Sequence, residues 1–275
     1  MRIVLREVNV QYDAGLPSST TALVGVDLAI GLGECVAVIG PTGSGKTTLL
    51  EVMAGLSRPS SGSAAIESDG ERPGLKQSVG LAYQFPESQF FEETVFEDVA
   101  FGPARQGLAE PDVRRRVEEA LTRAGLPAGE FGARAPLSLS AGEKRRAAIA
   151  GSLALSRPFL LLDEPTAGLD PTTAERVSEL VRNELGAGNG VVVVTHDLGF
   201  VEAVASRTVV MGDGAILADR ATADVMSDTD LLTRLGLEPP PRYALVDRLR
   251  RLSNPESERV AGILLGSFAA DRGAA

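Results

Sequence analysis

Apolar positions gather in four short runs, Cys35 to Ile39, Val79 to Tyr83, Phe159 to Leu162 and Val191 to Val194, each ending in small or polar residues. Runs of this length, bounded by turn formers, read as strands buried on both faces. Between them the apolar spacing becomes helical over Thr47 to Gly55, Glu110 to Ala124, Ala141 to Leu155 and Pro171 to Leu185. The alternation predicts an α/β core with a mostly parallel sheet covered by helices. The N-terminal stretch differs. Ile3 to Tyr12 and Ala22 to Ile30 alternate apolar and polar positions around a Gly/Pro/Ser-rich turn, which predicts an antiparallel β side sheet.

From Phe85 to Pro158 the strand signal vanishes and helical periodicity dominates, so residues 85–158 read as a helical subdomain inserted into the core. A short hairpin follows at Met211 to Leu217, and helical pattern then returns. Pro239, Pro240 and Pro241 set off a last segment with Leu245, Leu249 and Leu252 at i, i+4 and i+7. The chain thus divides into residues 1–220 and a helical C-terminal extension, 221–275. The closing SFAADRGAA reads as a frayed tail.

Composition narrows the function. The 275 residues are 44% hydrophobic and 23% charged, and 27 Lys+Arg against 37 Asp+Glu leave a formal charge of −10. Such a balance argues against an extended nucleic-acid surface. Cys35 is the single cysteine, so no intrachain disulfide or multi-cysteine metal cage can form, and a lone strand thiol fits a reducing compartment and a small core residue. Arg2, Arg6 and Glu7 interrupt the apolar N-terminus, unlike a secretory signal. No stretch approaches the roughly 20 apolar residues of a membrane span. Any membrane contact would come through a partner.

The chemistry starts at Gly40, Pro41, Thr42, Gly43, Ser44, Gly45, Lys46 and Thr47, a phosphate-loop pattern between a predicted strand and a predicted helix. Its glycines let backbone N–H groups turn around phosphates, Lys46 reaches over the anion, and Thr47 offers a hydroxyl to Mg²⁺. A buried strand ends in Asp163 and Glu164, two carboxylates that cannot both enter the core. Asp163 suits a Mg²⁺ shell and Glu164 suits proton acceptance from attacking water, although alone the pair also reads as a helix-start acid. His196, the single histidine, follows GVVVVT. By itself it also reads as a satisfied strand-end residue. Gln84, Asp163, Glu164, His196 and the phosphate loop all follow carboxyl ends of predicted strands, the edge at which α/β sheets bind ligands. Gln84 would reach metal or water. Ser140 opens the helix that carries Ala141, Gly142 and Glu143, either as an anion-attracting N-terminus or as an ordinary N-cap.

In order, the phosphate loop, Gln84, LSAGEKRR, LLLDEPTAGLD and the final TH resemble the ATPase subunit of ATP-binding cassette (ABC) transporters over residues 1–220. The resemblance implies a phosphate-loop nucleotidase cassette with a RecA-like sheet, using ATP and Mg²⁺. It implies a head-to-tail dimer in which the phosphate loop of one subunit and the Ser140–Glu143 helix of the other enclose each ATP. It also implies that Thr48 joins the ATP contacts, that Tyr12 stacks on adenine, and that Asp170 communicates across the dimer. The usual signature has Gly-Gly-Gln where this chain has Ala141, Gly142 and Glu143. An added methyl and an added charge near phosphate lead to an expectation of tempered activity.

AYQFPESQFFEETVFEDVAFGP, LSAGEKRRAAIAGSLAL and DRATADVMSDTDLLTRLGLEPP are narrower, and resemble the ATPase of energy-coupling-factor transporters. This implies uptake of a vitamin or transition-metal ion, and a cassette dimerised with itself or a sister ATPase. Its partners would be a transmembrane coupling subunit and a membrane substrate-binding subunit, at the cytoplasmic face of the membrane. Phe85, Phe90, Phe91, Phe96 and Phe101 crowd the start of the helical insert, as core or as a groove for a partner's helix. An ordinary binding-protein-dependent importer is the neighbouring reading. A soluble mechanical ATPase fits less well, given the acidic balance and the lack of a coiled-coil insertion or second cassette.

Overall fold

The computed structural model describes residues 1–275 apart from 14, 16–18, 71–72, 253–255, 257–258 and 265–275. The tail SFAADRGAA, and most of the turn joining the first two strands, lie outside the described residues. Along the chain come β1 (Arg2–Tyr12), β2 (Thr20–Gly31), β3 (Cys35–Ile39), α1 (Lys46–Met53), β4 (Ser61–Glu67), α2 (Leu75–Ser78) and β5 (Val79–Ala82). The helices α3 (Val95–Arg105), α4 (Glu110–Arg123), α5 (Ala128–Phe131) and α6 (Ala141–Ala154) follow. Next are β6 (Phe159–Asp163), α7 (Pro171–Gly186), β7 (Gly190–Val194), α8 (Leu198–Val204), β8 (Arg207–Gly212) and β9 (Ala215–Ala221). The described chain ends through α9 (Thr222–Ser227), α10 (Thr229–Arg234), α11 (Pro241–Arg251) and a last helical stretch up to residue 264.

Among the described residues the central sheet has the order β5-β6-β7-β3-β8-β9. All its pairings are parallel except β8 with β9. Successive strand side chains point to opposite faces, and this divides the core in two. Cys35, Ala37, Ile39, Leu160, Leu162, Val191 and Val193 pack with α3 to α10 on one face. Val36, Val38, Phe159, Leu161, Val192 and Val194 pack on the other face with α1 and the side sheet. Both faces being apolar, these strands read as continuous apolar runs rather than as alternating ones.

The side sheet has the order β2-β1-β4, all antiparallel. The pattern did not announce β4, because SGSAAIE is mostly small and polar and only Ile66 in it is buried. The hairpin at Met211 to Leu217 extends on both sides to become β8 and β9. In α11 the buried residues are Tyr243 and Val246, whereas Leu245 and Leu252 are exposed. The helix therefore packs on its own chain through Tyr243 and Val246, with Leu249 of the stripe half-buried and Leu252 just past the end of α11. The phenylalanine cluster also divides. Phe90 and Phe96 pack against the core, while Phe85 is 67% and Phe91 62% exposed, with Phe101 edge-on to Phe91.

Cys35 lies at the start of β3 on the helix-covered face, and burial, helped by the negative charge of Glu34, pushes its thiol up to about 12. The thiolate is the reactive form, so at pH 8 the folded protein is expected to resist a thiol-alkylating reagent. Mass measurement should find one alkylation per chain only after denaturation, and fast labelling of the native protein would contradict the placement.

Candidate functional site

The turn from β3 into α1 depends on two glycines. Gly45, the N-cap of α1, has φ +94, and a Cβ there would overlap the carbonyl oxygen of Ala22. Gly40 lies so close to the Met211 carbonyl that a side chain would collide with it. The loop therefore threads between β2 and β8 where only glycine fits. Lys46 folds back over it, donating from Nζ to the carbonyls of Gly40 and Pro41 at 2.8 Å each and to Ser44 Oγ at 3.4 Å. Burial pushes the Lys46 ammonium down, and the nearby Glu164 and Asp163 oppose that shift.

The register of the parallel strands sets Asp163 beside Val194, and Val194 beside Val38, so three strand ends reach one edge together. Thr47 donates from Oγ1 to Asp163 Oδ2 at 3.0 Å. Burial raises the Asp163 carboxyl above the ordinary range, while the Thr47 hydrogen bond pulls the other way. Glu164 then takes φ +48, and its N–H donates to the Val194 carbonyl at 2.8 Å. A non-glycine residue in that region costs roughly 1–3 kcal/mol, and its surroundings must hold it there. Thr195 donates from Oγ1 to Glu164 Oε2 at 3.1 Å, and His196 Nδ1 lies 2.9 Å from Oε1. The His196 side chain is 67% exposed, so a buried carboxylate and an open imidazole meet at the mouth.

Gly45, Lys46, Thr47, Asp163, Glu164, Val194 and His196 line one cleft of about 450 Å³, together with Tyr12, Thr42, Gly43, Thr48, Gln84 and the β2 residues Thr20 to Ala22, while Thr195 is fully buried and touches it only through Glu164. Tyr12 is partly exposed, and its hydroxyl lies 3.3 Å from Thr48 Oγ1. No group of three or more His, Cys, Asp or Glu side chains among the described residues forms a ready-made metal cage. One carboxylate beside one hydroxyl is the donor set that suits Mg²⁺ bound jointly with phosphate oxygens.

Ser140, Ala141, Gly142 and Glu143 do not line this cleft. Ser140 is the N-cap of α6 and forms a capping box: its Oγ accepts from Glu143 N–H at 3.3 Å, and Glu143 Oε2 accepts from Ser140 N–H at 2.7 Å. Arg134 stands 3.5 Å from the other Glu143 oxygen. These contacts, the Ser140 amide foremost, hold the Glu143 carboxyl below its usual range. The carboxylate is thus turned back along its own helix. Asp170 caps α7, accepting from Thr173 N–H at 3.0 Å and Thr173 Oγ1 at 2.6 Å.

Sequence reasoning missed Thr195 and Arg145. Thr195 is fully buried immediately after β7, where a polar residue ending an apolar strand gave a readable signal. Arg145 donates from Nη1 to the Glu164 carbonyl at 2.5 Å and from Nη2 to the Ala167 carbonyl at 3.4 Å. Nothing in KRR separated it from its neighbours. Lys144 pairs with Glu87, and Arg146 donates to the carbonyls of Ala124 and Gly125 at the end of α4.

The doubly covered parallel sheet, the glycine loop between β3 and α1, and the acids ending β6 define a phosphate-loop nucleotidase. Residues 23–167 match the ABC transporter family. The chain belongs to that family, and it is an ATPase of the energy-coupling-factor type. It is 41% identical to the energy-coupling factor transporter ATP-binding protein EcfA2 of Symbiobacterium thermophilum, over 99% of this chain and 100% of the relative. It is 39% identical to EcfA of Methanothermobacter thermautotrophicus, over 90% of this chain and 80% of the relative. Among solved structures, cbiO1 from Clostridium perfringens, described as part of the ABC transporter complex cbiONQ, superposes with TM-score 0.71 at 31% identity, covering 89% of this chain and 98% of that one. The dimeric ATP-binding cassette MJ0796, bound to ADP and Pi in a post-hydrolysis state, gives TM-score 0.71 at 30% identity, covering 80% of this chain and 98% of that one.

Removing the capping hydroxyl tests the local architecture of α6. Ser140→Ala is expected to lower stability by about 0.5–1 kcal/mol, read as a drop in the urea midpoint without a change in slope. No shift would mean that the Glu143 half of the box suffices.

Proposed function

We propose that the cleft between the phosphate loop and the ends of β6 and β7 holds ATP with Mg²⁺, and that hydrolysis there drives a membrane partner. The observation that carries the reading is convergence on one cleft of Lys46, the Thr47–Asp163 pair, Gln84, His196 and Glu164, the last held also by the buried Thr195. The amides of Gly43 to Thr47 would cradle the phosphates, and Lys46 would exchange the carbonyls of Gly40 and Pro41 for phosphate oxygens. Tyr12 and Thr48 form the outer wall towards the base. Thr47, Asp163 and Gln84 would hold Mg²⁺, which when bound neutralises phosphate charge.

Glu164 acts as the general base. Thr195 and His196 grip its two oxygens and would orient it towards the attacking water. His196, exposed at the mouth, then reaches the γ-phosphate. The signature residues Ser140, Ala141, Gly142 and Glu143 stand outside their own chain's cleft, which supports a second cassette, a copy or a sister, supplying them across a dimer with Asp170 at the seam. The apolar face of Leu245, Leu249 and Leu252 in the extension 221–275 is available to the same pairing.

No helix among the described residues is long and apolar enough to cross a membrane. The exposed Phe85, Phe91 and Phe101, beside Gln84 on the insert of residues 85–158, support docking of a transmembrane coupling subunit at the cytoplasmic face. A separate membrane subunit would bind the transported vitamin or metal ion.

Lys46→Ala should abolish ATP binding in a fluorescent-nucleotide titration. Glu164→Gln should retain binding, slow hydrolysis by roughly 10²–10⁴ and accumulate an ATP-bound dimer on size exclusion. Normal turnover by Glu164→Gln would remove the assigned base.

A further inference from the structure

We propose that Arg145 is a positioning residue for hydrolysis: from the second turn of α6 its guanidinium fixes the backbone that aims Glu164 at the attacking water. The inference rests on the reading of Glu164 as the base. Glu164 sits in a left-handed conformation that its own side chain disfavours, so its direction depends on what grips it. Its N–H is anchored to Val194 of β7 and its carboxylate to Thr195 and His196. Its carbonyl accepts from Ala167 N–H at 3.3 Å, closing a tight turn, and from Arg145 Nη1 at 2.5 Å. Arg145 Nη2 reaches the other end of the same turn, the Ala167 carbonyl. One planar fork thus spans the turn that follows the base.

Arg145 is a costly residue to use only as filler. Its Nε is buried without a hydrogen bond, and it packs among Tyr83, Ile149, Leu162, Asp163 and Pro165, behind the cleft rather than in it. Its hydrogen bonds go to carbonyls rather than to a carboxylate, so the charge is committed to holding main chain. The same helix is tied to the turn at its tip as well. A Cβ at Gly142 would lie 3.3 Å from Thr173 Cγ2 and 3.5 Å from Leu169 Cδ2, so the first turn of α6 lies close against the stretch after Ala167. Displacement of α6 is therefore passed to Glu164 of its own chain. If Ser140 to Glu143 meet the second cassette's nucleotide, Arg145 reports that meeting to the base at the other site.

The test is a double-mutant cycle on the full chain purified with the subunits that accompany it, reading kcat, KM and nucleotide affinity. Misplacing a reacting group by about 1 Å can cost up to 10²-fold, so Arg145→Met is expected to lower kcat roughly 10–100-fold, with KM and ATP affinity within about threefold. Arg145→Lys, which keeps the charge and can reach one carbonyl, should recover part of the loss and provides a folded variant should Arg145→Met be unstable. In the Glu164→Gln background, Arg145→Met should leave the residual rate unchanged, because the group it positions is already gone. An equal loss in both backgrounds would overturn the proposal, as would wild-type kcat in Arg145→Met or no loss in either Arg145 variant. Normal turnover by Glu164→Gln alone would instead defeat the base assignment.

Discussion

Two adjacent carboxylates must face one cleft, although neighbouring residues on a strand point to opposite sides of the sheet. Asp163 ends β6 in regular geometry and meets Thr47. Glu164 meets the same cleft because the chain leaves the strand there with φ +48 and turns its side chain towards Thr195 and His196. The conformation is held by the Val194 carbonyl on one side and Arg145 on the other. Asp163, Glu164 and His196 can converge on one cleft because of that one backbone reversal. The sheet supplies the platform, with β3, β6 and β7 ending at one level because their register is parallel and unshifted.

Much of this was legible in the chain. Strands buried on both faces leave continuous apolar runs, so β3, β6 and β7 were read almost to the residue, and the glycine loop was legible because a close backbone approach admits no other residue. The edge strand β4 was not, since a strand with a single buried side chain carries no period. The leucine stripe announced the helix α11 and left its packed face open; Tyr243 and Val246 provide that face. Arg145 was invisible for a different reason. Its role lies in a contact across 19 residues of sequence, and a basic residue in a helix usually signals only a solvated face.

The departure at Glu143 takes on a different weight. As a charge near a neighbouring phosphate it would repel, but its carboxylate closes a capping box with Ser140 and stands beside Arg134. An anion at the tip of α6 would compete with that box for the Ser140 and Glu143 amides. The Glu143 charge is thus engaged within the first turn of its own helix and with Arg134.

Isothermal titration of ATP with and without Mg²⁺ tests most directly whether Asp163 and Glu164 divide the metal and the attacking water between them. Asp163→Asn should lose the tightening that Mg²⁺ confers on ATP, while Glu164→Gln should keep it in full. Equal loss in both variants, or retention in both, would contradict the account.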